Sequence, residues 1–144
     1  MVAVHRTITV ERPLDEVVAY LADFGNTESW DPGTVSCARV DDGPVAVGAR
    51  WRNVSRFRGR TTELDYRLDR REAARLVFVG ANRTVTATDD LVFGAVGDST
   101  VVDYRATLEF KGPARLVAPF LRAEFERLAD RVAVRLPEVL AAGR

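Results

Sequence analysis

Chemically versatile side chains are almost missing from this chain of 144 residues, which holds one cysteine and one histidine. With Cys37 alone, an intrachain disulfide and a thiol-rich metal site are both excluded. His5 alternates outward if Val4 and Ile8 point inward, so a Ser-His-Asp or Cys-His arrangement lacks its central base. Cys37 reads as a small buried hydrophobe rather than a reactive thiol. Charge of one sign is also lacking: twenty-one basic residues balance twenty-one acidic ones. That neutrality carries no overall footprint for nucleic acid or an anionic membrane. No apolar run approaches the ~20 residues of a membrane span. The start, MVAVHRTITVERP, lacks the basic head and apolar stretch of a signal peptide. A soluble, cytoplasmic protein is expected.

Any metal site would have to be built from carboxylates. Asp41-Asp42 and Asp89-Asp90 are the adjacent aspartate pairs. The first lies in the turn DDGP. The second lies late in a strand, where one of the two should point to the inner face and the other outward; a bulge or an exposed strand end is the plainer reading. Gly94 and Gly97 are spaced G-x-x-G but lack the strand–helix context of a phosphate loop. No metal and no cofactor are expected.

What is present is periodicity. Val2, Val4, Ile8 and Val10 alternate with polar residues as a strand, interrupted by Arg6, which suggests an end or an opening at that point. Pro13 suits a first helical turn, and Leu14, Val17, Val18 and Leu21 follow at helical spacing to about residue 22. FGNTESWDPG, residues 24 to 33, reads as a loop of turn formers that carries Phe24 and Trp30. Strand follows strand from Thr34: Val35 to Val40, a strand from Arg50 to the tip RFRGR, and Leu64, Tyr66 and Leu68 alternating with charges. DRREAAR, residues 69 to 75, reads as a charged connection. Leu76 to Ala81, residues 83 to 93, a GAVGDS turn and a long alternation from Val101 to Phe110 complete the set. Val117, Leu121, Phe125, Leu128, Val132, Leu136 and Val139 then mark one face of a helix of six to seven turns. Pro137 should kink or fray its end.

The order of elements predicts an α+β fold of one domain, residues 1–144. A curved antiparallel sheet of about seven strands must cover its apolar face, and the terminal helix alone is long enough. Asn53, Ser55, Tyr66 and Tyr104 share the inward parity with Trp51, Leu64, Phe78 and Phe110. Unpartnered polar groups in a solid core each cost ~1–3 kcal/mol, so this mixture suits a cavity for a mostly apolar ligand. The hydroxyls and the amide could equally satisfy one another.

From VHRTITVERPLDEVVAYLADF through SWDPGTVSCARVDDGPVAVGARWR to LEFKGPARLVAPFL, the chain resembles the SRPBCC or START-like superfamily, and more narrowly its polyketide cyclase/dehydrase-type members. Pro13, Trp30-Asp31-Pro32, Gly48 and Gly112-Pro113 carry the likeness, which is one of scaffold. The resemblance implies a helix-grip fold, a curved sheet wrapped around the long C-terminal helix with one or two short helices after the first strand. It also implies an internal hydrophobic pocket.

The expected ligand-binding residues are Trp30, Trp51, Asn53, Ser55, Tyr66, Phe78, Tyr104, Phe120 and Phe125. Trp30 either plugs the end of the core or gates the pocket. Three functions stay open. The favoured one is binding of a small hydrophobic or aromatic molecule. Another is a cyclase or dehydratase without metal or nucleotide, in which Tyr66 or Tyr104 polarises a carbonyl and Asp89 or Asp90 moves a proton. The third is a regulatory or protein-interaction role. No nucleic-acid partner is expected, and a homodimer is left open. The basic tip Arg56, Arg58 and Arg60 reads as a solvated turn.

Overall fold

The computed structural model describes residues 1–57 and 59–142; Arg58 lies outside the described residues. Seven antiparallel strands form one sheet in the order β1-β7-β6-β5-β4-β3-β2. They are β1 Val2–Val10, β2 Thr34–Arg39, β3 Arg50–Phe57, β4 Arg60–Glu72, β5 Arg75–Ala81, β6 Val85–Val96 and β7 Ser99–Phe110. The first strand returns to pair with the last, from Val2 opposite Leu108 to Val10 opposite Thr100. Register shifts between Thr34 and Ser36 and between Leu68 and Arg70 break the ladder locally. Such bulges bend a strand and increase its twist, which helps the sheet to curl. The first also explains why Val35 is exposed while Cys37, two residues on, is buried.

Several boundaries differ from the sequence expectations. FGNTESWDPG is not an irregular loop. Its first seven residues form a 3-10 turn, Phe24–Asn26, and a short helix α2, Thr27–Trp30, which follow α1, Leu14–Ala22. The Asp23 carboxylate accepts from the Gly25 amide and Thr27 Oγ1 donates to the Phe24 carbonyl, so side chains close these turns. DRREAAR is mostly strand: β4 runs on to Glu72 and β5 resumes at Arg75 across a two-residue turn. β6 likewise extends to Val96, and the turn shrinks to Gly97-Asp98, with Gly97 at φ 60°. Short hairpins let charged residues sit in paired strands because the outer face of the sheet is solvated.

Helix α3, Ala118–Ala142, runs unbroken past Pro137. Its C-terminal half packs down through Val132, Leu136 and Leu140 into a core shared with Val17, Leu21, Phe24, Trp51, Leu68, Leu76, Phe78, Leu91 and Val102. Burying each large side chain of this set contributes ~1.5–3 kcal/mol. Arg6 does not mark an opening. Its guanidinium donates to Asp130 Oδ1 at 2.9 Å and to the Glu126 carbonyl at 3.0 Å, fastening β1 to α3. Arg12 Nε donates to the Leu140 carbonyl at 3.0 Å and ties the far end of the helix. The helix is therefore held at its middle and its C-terminus, while its first turns span open space.

Candidate functional site

Between the first turns of α3 and the concave face lies a cavity of about 700 Å³. Its apolar wall is a second, smaller cluster of Leu64, Val85 and Ala87, joined by Leu108 and Phe110. Leu121, Phe125 and Leu128 of α3 close it from above. The cavity exists because α1 and the 3-10 turn fill only one half of the hollow. Phe24 packs against Phe78 at a 4.5 Å centroid distance and against Trp51 at 6.1 Å. That half is solid.

This division sorts the candidate residues. Asn53, Ser55, Tyr66, Tyr104 and Phe125 line the cavity. Trp51 and Phe78 do not. Both are fully buried in the solid half, edge-on to each other, and Trp51 Nε1 donates to Asp23 Oδ1 at 3.3 Å. Inward parity was right for both, but parity along a strand carries no information about which half of the hollow a residue meets. Phe120 is 75% exposed and lies off the lining, because it is turned about 100° around α3 from Leu121. Trp30 is buried outside the lining, set edge-on to Tyr104 with ring centroids 6.2 Å apart. Its Nε1 is buried without a hydrogen-bond partner among the described residues. It sits behind the cavity wall, against Tyr104.

The polar groups form two sets. On one wall Ser55 Oγ donates to Asn53 Oδ1 at 2.6 Å, Asn53 Nδ2 to Thr34 Oγ1 at 3.4 Å, and Thr34 Oγ1 to Asp31 Oδ2 at 3.1 Å. The Gly33 amide donates to Asp31 Oδ1 at 2.9 Å. Mutual satisfaction, one of the two alternatives for Asn53 and Ser55, thus accounts for their contacts, while both remain at the cavity surface. On the other wall Tyr104 Oη donates to Asp89 Oδ1 at 3.3 Å. Tyr66 Oη has no hydrogen-bond partner among the described residues.

Asp89 is the inward member of its pair. It lies in the middle of β6, opposite Phe78 on β5 and Ala106 on β7, with neither bulge nor strand end at that position. Asp90 points to the outer face and pairs bidentately with Arg75. Burial pushes the Asp89 carboxyl up to about 7; the nearby Asp31 charge adds to the shift and the Tyr104 hydroxyl opposes it. Burial also raises Asp31, against the pull of the Gly33 amide and the Thr34 hydroxyl. Tyr66 and Tyr104 are held well above their ordinary value, by burial first and then by Asp89. The phenols stay protonated donors, while one carboxyl is poised to exchange a proton near neutrality.

Asp31 escaped the sequence reading because Asp-Pro-Gly is first of all a turn signal, and the turn is indeed there. Arg60 was legible in principle, since the hairpin register sets it opposite inward-facing Phe57. Cys37 is buried, which raises its thiol, and His5 is exposed and contacts Asp103. Among the described residues no His, Cys, Asp and Glu side chains gather in a set able to hold a metal, and no helix is long and apolar enough to cross a membrane.

Comparison with known proteins agrees with this architecture. The chain is similar to a START superfamily protein from Mycobacterium smegmatis at 14% identity and a TM-score of 0.81, over 99% of both chains. It is similar to the Zhui aromatase/cyclase from Streptomyces sp. R1128 at 16% identity and 0.75, over 98% of this chain and 92% of that one. The di-domain ARO/CYC StfQ from the steffimycin biosynthetic pathway matches at 12% identity and 0.70, over 99% of this chain and 52% of that one. Identities this low show a shared fold. A search of curated protein sequences returned no match. Residues 1–140 match the family model described as polyketide cyclase / dehydrase and lipid transport. A curved seven-stranded sheet gripping a long C-terminal helix, joined to a family match over nearly its whole length, makes this chain a member of the polyketide cyclase/dehydrase and lipid transport family.

Proposed function

We propose that this protein binds a small hydrophobic or aromatic molecule in the cavity between the sheet and the first turns of α3. The observation that carries the reading is the shape and polarity of that space. It measures about 700 Å³, its walls are mostly apolar, and Asp89 and Tyr104 place a hydrogen-bonded pair at its inner end. Pockets of this size and pattern bury an apolar body and orient it by a few polar contacts. Tyr66 Oη supplies a donor for a ligand carbonyl, and Tyr104 Oη does so when Asp89 holds the proton and donates it to the phenol oxygen. The Asp31–Thr34–Asn53–Ser55 chain stiffens the facing wall. Native mass spectrometry of the freshly purified protein, with titration by the neutral dye Nile red, tests this. A co-purified apolar molecule, or saturable dye binding lost on filling the cavity by Ala106→Trp, is expected. A chain that binds neither would sink the reading.

Asp89 favours a second reading, a cyclisation or dehydration reaction, in keeping with the aromatase/cyclase relatives. Asp89 as carboxylate would remove the proton α to a ligand carbonyl while Tyr104 or Tyr66 donates a hydrogen bond to the enolate oxygen. Collapse of the enolate would expel a β-hydroxyl, which takes the same proton back from Asp89 and leaves as water. The probe is a 4-aryl-4-hydroxybutan-2-one, whose enone product absorbs in the near ultraviolet. Turnover lost in Asp89→Asn with dye binding retained supports catalysis. No enone above the buffer rate returns the protein to the binding reading.

A further inference from the structure

Among the described residues, the four charged ones that line the cavity divide by depth. Asp89 is 8% exposed and sits at the inner end with Asp31. Arg56 and Arg60 are exposed and belong to the β3–β4 hairpin at the mouth. Arg60 pairs directly with Phe57, and the pairs below it on the same face are Ser55 with Thr62 and Asn53 with Leu64. Directly opposite residues share a face of the sheet, so the guanidinium stands above the opening and not behind it. Several arginines of the sheet are held by acids, among them Arg6 by Asp130, Arg52 by Asp65, Arg67 by Asp69, Arg75 by Asp90 and Arg105 by Asp103. Arg60 has no acidic partner among the described residues.

Between these two ends lies an apolar stretch. The rings of Phe57 and Phe125 stack at 4.4 Å just inside the mouth, and Leu64, Leu108 and Val85 follow. We infer that the cavity takes an anionic amphiphile whose carboxylate or phosphate head lies on Arg60, with its apolar body running inward past Phe57 and Phe125. The inference rests on the ligand-binding reading above and adds the ligand's charge and its direction. The reverse orientation would bring the anion to Asp89 and Asp31, where it must either meet a like charge or hold both carboxyls protonated. Arg60 instead offers a fixed opposite charge. A planar guanidinium suits such a head because its N–H groups match two oxygens at once. Arg56, one residue from Phe57, adds to the same positive field.

The test is competition against Nile red by dodecanoate, dodecyl phosphate and dodecanol, each below its micelle-forming concentration. Either anion should displace the dye about tenfold better than the alcohol, the worth of one charge-assisted contact. The ratio should shrink at high salt, because an exposed charge is screened. Arg60→Gln should bring the ratio to about one, Arg60→Lys should keep most of it, and the outer-face control Arg67→Gln should leave it intact. Equal displacement by all three in the parent protein, or a preference that survives Arg60→Gln, overturns the inference and leaves the binding reading standing. Absence of dye binding altogether overturns both.

Discussion

The ring of Tyr66 lies flat over Gly80, its direct partner across the β4–β5 pair. A Cβ at position 80 would come within 2.6 Å of Cε1, Cε2 and Cζ of that ring. Phe24 packs against the same ring at a 4.5 Å centroid distance, so the tyrosine has little room to swing away. One missing methyl group thus sets where a phenol meets the cavity.

Gly80→Ala is therefore expected to destabilise the protein by about 1–3 kcal/mol, as overpacking does. It should also weaken Nile red binding, because the displaced ring moves into the cavity. Urea unfolding and dye titration check the two effects. Parent-like stability would show that Tyr66 can be lifted without strain.

Asp89 makes stability depend on pH in an unusual sense. A buried acid raised from 3.8 to about 7 keeps its proton in the folded chain where the unfolded chain has lost it. Fewer protons are bound in the unfolded state, so stability falls as pH rises through that interval and levels off above it. Asp31 faces the same cavity and adds a slope of the same sign. Asp89→Asn should gain stability relative to the parent as pH increases from 4 to 7, on the order of a few kcal/mol. Tyr104→Phe removes the donor that favours the ionised form, so the midpoint should move up. Urea unfolding across pH measures both. A parent–variant difference independent of pH would contradict a buried, proton-holding Asp89.

The Phe57–Phe125 stack, with rings 4.4 Å apart and only 12° from parallel, joins the hairpin to α3 across the mouth. Phe125→Ala should raise the ligand dissociation rate about 2- to 10-fold, the worth of one aromatic pair. Its stability cost should stay under about 2 kcal/mol, because both rings are only partly buried. Stopped-flow release of Nile red gives the rate. An unchanged rate would show that ligand leaves by another path.

Much of the site was legible because strand parity is a local property. Asn53, Ser55, Tyr66 and Tyr104 were found by counting alternate residues, and all four reach the cavity surface. Trp51 and Phe78 share that parity yet lie in the solid half, because Phe24 and α1 happen to fill it. Phe120 was misplaced because one helical position, about 100°, separates the cavity side of α3 from solvent. The polar Asp31–Thr34 contacts join a turn to a strand in the same way that caps do, so their sequence reads as scaffold.

Alternation and helical spacing, which act over a few residues, determined by themselves the strands, the long helix, the covered face and the inward side chains. Only the tertiary structure decided how far α1 fills the hollow and which aspartate of the 89–90 pair meets the remaining space. It alone set two raised carboxyls at one end of that space and, at the other, a guanidinium with no acidic partner among the described residues. These are matters of distance between residues far apart in the chain, and burial and electrostatics respond to distance rather than to sequence order.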